Sequence, residues 1–226
     1  MSMPYYVSPE QQVKDRAEFA QKGIARGRSL IGAVFSDGVL IVAENPSTSL
    51  NKISEIYDRM AFAGVGKYNE YDRLREAGIR WADSTGFSYS REDVEARALA
   101  NYYAQHLGDI FAEGQKPYEV EILVAQLGIR QTPTKLYHIA YEGTITDELE
   151  FAVLGGDADA IRERYRAGTS GAGDLSATLQ RAVVALSGPD RQIRSSDLEI
   201  GILQDAGTRR TFRRITDGET DRLLGR

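Results

Sequence analysis

Two histidines, no cysteine and twelve tyrosines set narrow limits on the chemistry this chain can do with its own side chains. His106 falls in a helical pattern and His138 in a strand pattern, and neither has a partner at metal-ligand spacing. Two neutral imidazole nitrogens do not make a metal site, so both read as packed or partly exposed side chains, and neither a metal nor a cofactor is expected. Without cysteine there is no thiol nucleophile, no disulfide and no thiolate metal site, a composition that fits a reducing compartment. No Gly-x-Ser-x-Gly elbow presents a serine nucleophile. Gly64-Val65-Gly66-Lys67 shares a fragment with phosphate loops but lacks the second glycine pair and the Lys-Ser/Thr ending that cradle a phosphate. Arg209, Arg210, Arg213 and Arg214 form the densest basic cluster. Such a cluster protects an edge strand against sheet-to-sheet association or binds a polyanion. A formal net charge of −5 argues against nucleic acid or an anionic membrane surface as the partner of the whole chain.

The elements that position these residues follow from periodicity. Leu30–Phe35 and Val39–Val42 are apolar runs bridged by Ser36-Asp37-Gly38, a hairpin signal in which glycine would accept a positive φ. Their near-continuous hydrophobicity predicts a sheet covered on both faces. Before them, a charged helix over 10–26 is capped by Ser8 with Pro9 at its first position; its narrow apolar stripe suits a place over a sheet edge or against another chain. After them come a short strand around Ile53 and Ile56, a strand over 61–66, and a helix over 67–82 that stops near Asp83–Gly86. Ser90-Arg91-Glu92-Asp93 reads as the cap of a second helix running to Glu113, with Val94, Ala98, Leu99, Tyr102, His106, Leu107 and Ile110 on a wide apolar face that predicts a central helix. Strands follow around Val120–Val124, Leu136–Ala140 and Phe151–Leu154. Asp157 and Asp174 cap two further helices, Gly188-Pro189 ends the last of them, and strands over 198–202 and 211–215 close the pattern.

Helices arriving in pairs between groups of strands fit two stacked sheets with a helix layer outside each. No Pro/Gly/Ser-rich linker divides the 226 residues, so one domain is expected, large enough to bury roughly 70% of its unfolded surface. The N-terminus lacks the basic start and apolar run of a signal peptide, and no stretch reaches the roughly 18 apolar residues of a membrane span. A cytoplasmic protein without a membrane partner is the expectation.

The order of motifs resembles the proteasome subunit fold. Lys52-Ile53 and Ala63-Gly64-Val65-Gly66 follow the hairpin in the order seen in α-type subunits. Met1–Pro9, Gly23-Ile24-Ala25-Arg26, Val42-Ala43-Glu44-Asn45-Pro46-Ser47 and Gln115-Lys116-Pro117-Tyr118-Glu119-Val120 are similar to segments of actinobacterial α subunits. The likeness is collinear from Met1 to about Ile215. It implies an α+β, four-layer α/β/β/α sandwich of two mainly antiparallel sheets plus an N-terminal helix. On that basis 1–9 is a gating segment, 9–26 the N-terminal helix, 27–215 the sandwich and 216–226 a C-terminal tail.

Function follows from the same resemblance. Active members of the fold use a threonine freed at the N-terminus, its own amine serving as base. Aligned through Gly32 and Asp37-Gly38, this chain carries Arg28 at that place, and arginine has no deprotonated form near neutrality. Glu44 and Lys52 match the acid and lysine that attend the nucleophile. No catalytic residue is therefore expected. The resemblance implies a non-catalytic α subunit forming a seven-membered ring of its own copies that stacks on β subunits. It also implies a ring-shaped ATPase or other activator docking through its C-terminal residues, and protein substrates, with or without a tag. Lys52 and Arg26 would line the activator pocket, whereas read alone both are solvated cations. Met1, Ser2, Met3, Pro4, Tyr5, Tyr6, Val7, Ser8 and Pro9 would form the gate, whereas read alone they are a frayed terminus. The alternatives are an active hydrolase processed to expose a Thr or Ser, and a free-standing interaction domain.

Overall fold

The computed structural model describes residues 8–128, 132–168 and 173–226. Strands β1 (Leu30–Phe35) and β2 (Gly38–Glu44) form an antiparallel hairpin in which Leu30 faces Ala43 and Phe35 faces Gly38. The turn is therefore Ser36-Asp37, and Gly38 is already strand. Gly38 is not among the positive-φ glycines. A Cβ there would lie 2.0 Å from the Leu203 carbonyl oxygen, so the residue is needed for the close approach of a neighbouring strand rather than for turn geometry.

Two five-stranded sheets, antiparallel throughout, stack on each other. With β3 (Ile53–Tyr57), β4 (Met60–Gly66), β5 (Val120–Gln126), β6 (Lys135–Ile139), β7 (Ile145–Glu148), β8 (Phe151–Leu154), β9 (Leu198–Gln204) and β10 (Phe212–Ile215), their orders are β10-β9-β2-β1-β8 and β3-β4-β5-β6-β7. The period-two alternation of β2 assigns its faces. Val39, Ile41 and Ala43 meet Ile53, Ala61, Ala63, Leu123 and Ala125 between the sheets. Leu40 and Val42 point the other way, against Ile161 of α4 (Ala158–Ala167) and Leu179, Val183 and Leu186 of α5 (Leu175–Ser187). On the far side, α2 (Tyr68–Ser88) and α3 (Ala96–Glu113) set Tyr71, Leu74, Leu99 and Tyr103 on Phe62, Ile122 and Val124. Three apolar layers between four structural layers make the α/β/β/α sandwich.

Several local expectations shift. Helix α2 does not stop at Gly86 but continues to Ser88. A Cβ on Gly86 would lie 2.1 Å from the Tyr57 hydroxyl, so this glycine marks a close contact rather than a helix end. Ser90 caps a separate 3-10 turn, Arg91–Asp93, and α3 begins at Ala96, whose N–H donates to the Gln126 side-chain oxygen at 2.6 Å. The later start places Ala96, Leu99, Ala100, Tyr103 and Leu107 on the buried face, while Ala98 and His106 are exposed. Helix α3 is thus an outer-layer helix, not a central one. Strand β7 is too polar and too exposed to show in the sequence pattern, being the edge of its sheet.

Helix α1 (Pro9–Ala25) is capped by Ser8, whose hydroxyl oxygen accepts from Gln11 N–H at 3.2 Å. It buries only Ala20 and Ile24 and lies across the ends of β4 and β5, where the Arg16 guanidinium donates to the Ile110 carbonyl at 3.2 Å. The 216–226 segment contains a further helix, α6 (Asp217–Leu224), docked on α5 through a Ser176 hydroxyl bond to the Leu223 carbonyl at 2.6 Å. The Arg cluster braces the C-terminal hairpin: Arg209 reaches Asp58, Arg210 reaches Glu55, Arg213 reaches Glu219 and Arg214 reaches Glu199. Each guanidinium of the cluster is spent on a carboxylate of its own chain.

Gly66 joins β4 to α2 at φ +104°, and a Cβ there would lie 1.9 Å from the Glu119 carbonyl oxygen. Gly66→Ala is therefore expected to cost about 2 kcal/mol or more, lowering the midpoint of thermal unfolding by roughly 4 °C or more. Gly218→Ala, where nothing lies within 4 Å of the added Cβ, is the control and should leave the midpoint unchanged or higher in the same melting experiment.

Candidate functional site

The hairpin's open end gathers the charged residues that the sequence singled out. Arg28 lies just before β1 and Glu44 at the end of β2, and the Glu44 N–H donates to the Ser29 carbonyl at 3.2 Å, so the strand ladder fixes their separation. Glu44 is buried, with a relative exposure of 7%. A buried carboxylate is tolerable only when paired, and two guanidinium groups pair it. Arg28 donates to Oε1. Arg191, from the loop after α5, donates to Oε1 at 2.9 Å and to Oε2 at 2.8 Å, a two-point bond of the strong, charge-assisted kind. The Arg191 guanidinium also donates to the Leu186 and Ser187 carbonyls at 3.0 and 3.2 Å, closing the exposed end of α5. The Arg28 guanidinium, which has no deprotonated form near neutrality, is thus bound to a carboxylate that Arg191 also holds.

Lys52 stands half-buried immediately before β3. Its ammonium donates to the Arg28 carbonyl at 2.6 Å, and no carboxylate is ion-paired to it among the described residues. Burial lowers its pKa from 10.5 to about 8. The Glu199 and Glu44 charges oppose that shift, and Arg28 adds to it. The Lys52 backbone is held separately, its N–H donating to Glu199 Oε2 at 2.7 Å.

Arg26 is exposed at the C-cap of α1. It lines two grooves. One, of about 360 Å³, runs past Arg28, Glu44 and Arg191; the other, of about 520 Å³, is bordered by Phe19, Lys22, Lys67, Lys116 and Glu119. Lys52 lines neither. Lys52 thus meets the Arg28 backbone two residues from Arg26, but the two side chains share no groove within one chain. Of residues 1–9, expected to form a gate, Ser8 and Pro9 are the N-cap and first residue of α1; Met1, Ser2, Met3, Pro4, Tyr5, Tyr6 and Val7 lie outside the described residues.

The histidines take no part. His106 is exposed on α3. His138 is largely buried, and desolvation holds its pKa down at about 4, so it is neutral at pH 7, 3.8 Å from a Glu121 oxygen. Among the described residues no group of three or more His, Asp or Glu is placed to hold a metal ion, and no helix is long and apolar enough to cross a membrane.

Sequence reading missed Arg191 and Glu199. Arg191 sits in an irregular loop with nothing to mark it. Glu199 did carry a signal: a lone charge in the run Leu198-Glu199-Ile200-Gly201-Ile202, which a strand covered on both faces tolerates only if that charge has partners.

Two stacked antiparallel sheets with a helix pair outside each, and a helix ahead of the hairpin, make the four-layer α/β/β/α class. The comparisons sharpen that class: residues 24–190 match the family described as Proteasome subunit, and the chain belongs to that family. It is similar to "Proteasome subunit alpha" of Acidimicrobium ferrooxidans, 60% identical over 225 residues covering 100% of this chain and 97% of the relative. It is also similar to the proteins of the same name in Rhodococcus jostii, at 52% identity with 99% and 90% covered, and in Kineococcus radiotolerans, at 50% with 96% and 95% covered. Within the family it is therefore an α-type subunit of the actinobacterial kind.

The perturbed ammonium can be measured directly. In a pH titration followed by the ¹³C resonance of its ε-methylene, Lys52 should show a midpoint near 8, below the 10.5 of an unperturbed lysine. A midpoint at the ordinary lysine value would mean that the side chain is solvated.

Proposed function

We propose that this chain is the non-catalytic gating and docking subunit of a cytoplasmic protein-degrading complex. Seven copies form a ring on a ring of β subunits that supply the threonine nucleophile. Residues 1–9 of the copies converge on the ring axis and close the pore. A ring-shaped ATPase or other activator inserts its C-terminal residues beside Lys52, with Arg26 at the rim of the same socket once neighbouring subunits are in place, and substrates, tagged for delivery, pass through the opened pore.

The observation that carries this reading is the division of labour at the hairpin end. Arg28 is bound to Glu44, whereas the Lys52 ammonium, among the described residues, meets a backbone carbonyl and no carboxylate. An ammonium has three donors. The two left over, in a half-buried setting crowded with guanidinium charge, suit a chain-terminal carboxylate leaving water.

Lys52→Ala should weaken binding of the peptide N-acetyl-(Gly-Ser)₂-Tyr-Ala with a free carboxylate by about 2–5 kcal/mol, leaving ring assembly and basal peptide cleavage by the assembled complex intact. In the parent, peptide affinity should fall as pH rises through about 8, because the Lys52 ammonium loses its proton there. Unchanged affinity in Lys52→Ala, measured by calorimetry at low and moderate salt, would remove the lysine from the socket.

The gate is tested separately. Deleting residues 1–8 should accelerate hydrolysis of a small fluorogenic peptide by the assembled complex, while native mass shows the same assembly. Equal rates with and without the segment would make it a solvated terminus.

A further inference from the structure

Four hydrogen-bond donors converge on one buried carboxylate beneath Lys52. The Glu199 side chain is 10% exposed. Its Oε2 accepts from the Lys52 N–H at 2.7 Å and from the Asn45 side-chain amide at 2.8 Å. Its Oε1 accepts from the Ile53 N–H at 3.1 Å and from the Arg214 guanidinium at 2.6 Å. Arg214 also donates to the Ile53 carbonyl. Asn45 also donates to the Leu50 carbonyl at 2.7 Å, and its Oδ1 accepts from the Ser47 N–H at 3.2 Å. The irregular strap over 45–52 is thus tied at both ends to one carboxylate on β9, far away in sequence.

We propose that Glu199 is the positioning residue for Lys52: its carboxylate holds the backbone of the strap, and so sets where the Lys52 ammonium stands against the Arg28 carbonyl. Other bonds hold single points of the strap, the Gly64 N–H donating to the Lys52 carbonyl at 3.0 Å and the Asn45 N–H to the Asp197 carbonyl at 2.8 Å. Glu199 bonds both ends at once, through the Asn45 amide and the Lys52 N–H, while the strap is too short to pack a core of its own and Leu50 and Asn51 are exposed. All four groups facing Glu199 are donors, so an ionised carboxylate with its acceptor-only oxygens satisfies them, and an amide does not. A glutamine would turn an NH₂ towards donors and leave at least one of them unpaired in a buried place.

The docking of a partner's carboxylate rests on the function proposed above; the positioning of Lys52 does not, and the test separates them. The full-length Glu199→Gln protein is titrated by the ε-methylene resonance of Lys52. Release of the strap into water should move the midpoint from about 8 towards 10.5. Asn45→Ala leaves every charge near Lys52 (Glu199, Glu44 and Arg28) in place and breaks one tie, so a smaller shift in the same direction reports position alone; it also serves where Glu199→Gln does not fold. A midpoint that stays near 8 in both variants overturns the proposal. So does one that falls below 8, since the carboxylate would then act through its charge and not through the strap. In calorimetry with N-acetyl-(Gly-Ser)₂-Tyr-Ala, Glu199→Gln should lose about tenfold in affinity and nothing more when combined with Lys52→Ala. Parental affinity in Glu199→Gln alongside weakened affinity in Lys52→Ala overturns it too. If Lys52→Ala binds the peptide as the parent does, the docking reading fails and the titration alone decides the positioning.

Discussion

The apolar layer between the two sheets governs what the rest of the chain can be. Val39, Ile41, Ala43, Ile53, Ala61, Ala63, Leu123 and Ala125 fill it, and most are wholly buried. A charge set at the margin of that layer has to bring partners or stay neutral. Glu44 and Glu199 both lie at one end of the pairing between β2 and β9, one register step apart, with Glu44 opposite Leu198 and Glu199 opposite Ala43. Each is surrounded by donors: Glu44 by two guanidinium groups, Glu199 by two backbone amides, a side-chain amide and a guanidinium. Lys52 and Arg28 stand beside both of these satisfied carboxylates.

The fold was legible wherever burial imposes a period. The hairpin, the apolar strands β5, β8 and β9, and helices α1, α4 and α5 all follow from alternation, helical spacing and caps such as Ser8 and Asp174, whose side chains accept from Gln11 and Ala177 N–H. What escaped was set by contacts distant in sequence. Gly38 and Gly86 look like punctuation, but each is a place where another strand or ring comes too close for a Cβ. The phase of α3 depended on Gln126, thirty residues away, capping Ala96. Helix α6 is short and polar enough to pass for a tail until α5 is there to receive it.

The candidate site divides in the same way. Arg28, Glu44 and Lys52 were marked by their places around the hairpin, and the structure does bring them together. Arg26 was marked by the same likeness, yet its side chain opens onto grooves that Lys52 does not share. The partners that give the cluster its character, Arg191 and Glu199, come from 147 residues beyond Glu44 and Lys52 respectively. No local pattern predicts a charge pair across such a distance; only the pairing of β2 with β9 and the docking of α5 create it.

The pairing of β9 with β2 has a bearing on how the subunit is made. Strand β2 has β1 on one side as soon as the hairpin closes, but its other edge waits for residues 198–204. While the ribosome is still delivering α5, the chain therefore carries an open apolar edge, and both Glu199 and Arg214 are still unborn. The strap that bears Lys52 has the Gly64 N–H to hold its Lys52 end, but the carboxylate that ties both of its ends arrives only when almost nine-tenths of the polypeptide has been synthesised. Maturation order is thus written into the sheet: the layer that closes first is the one built from neighbours in sequence, and the cation-bearing margin is completed last.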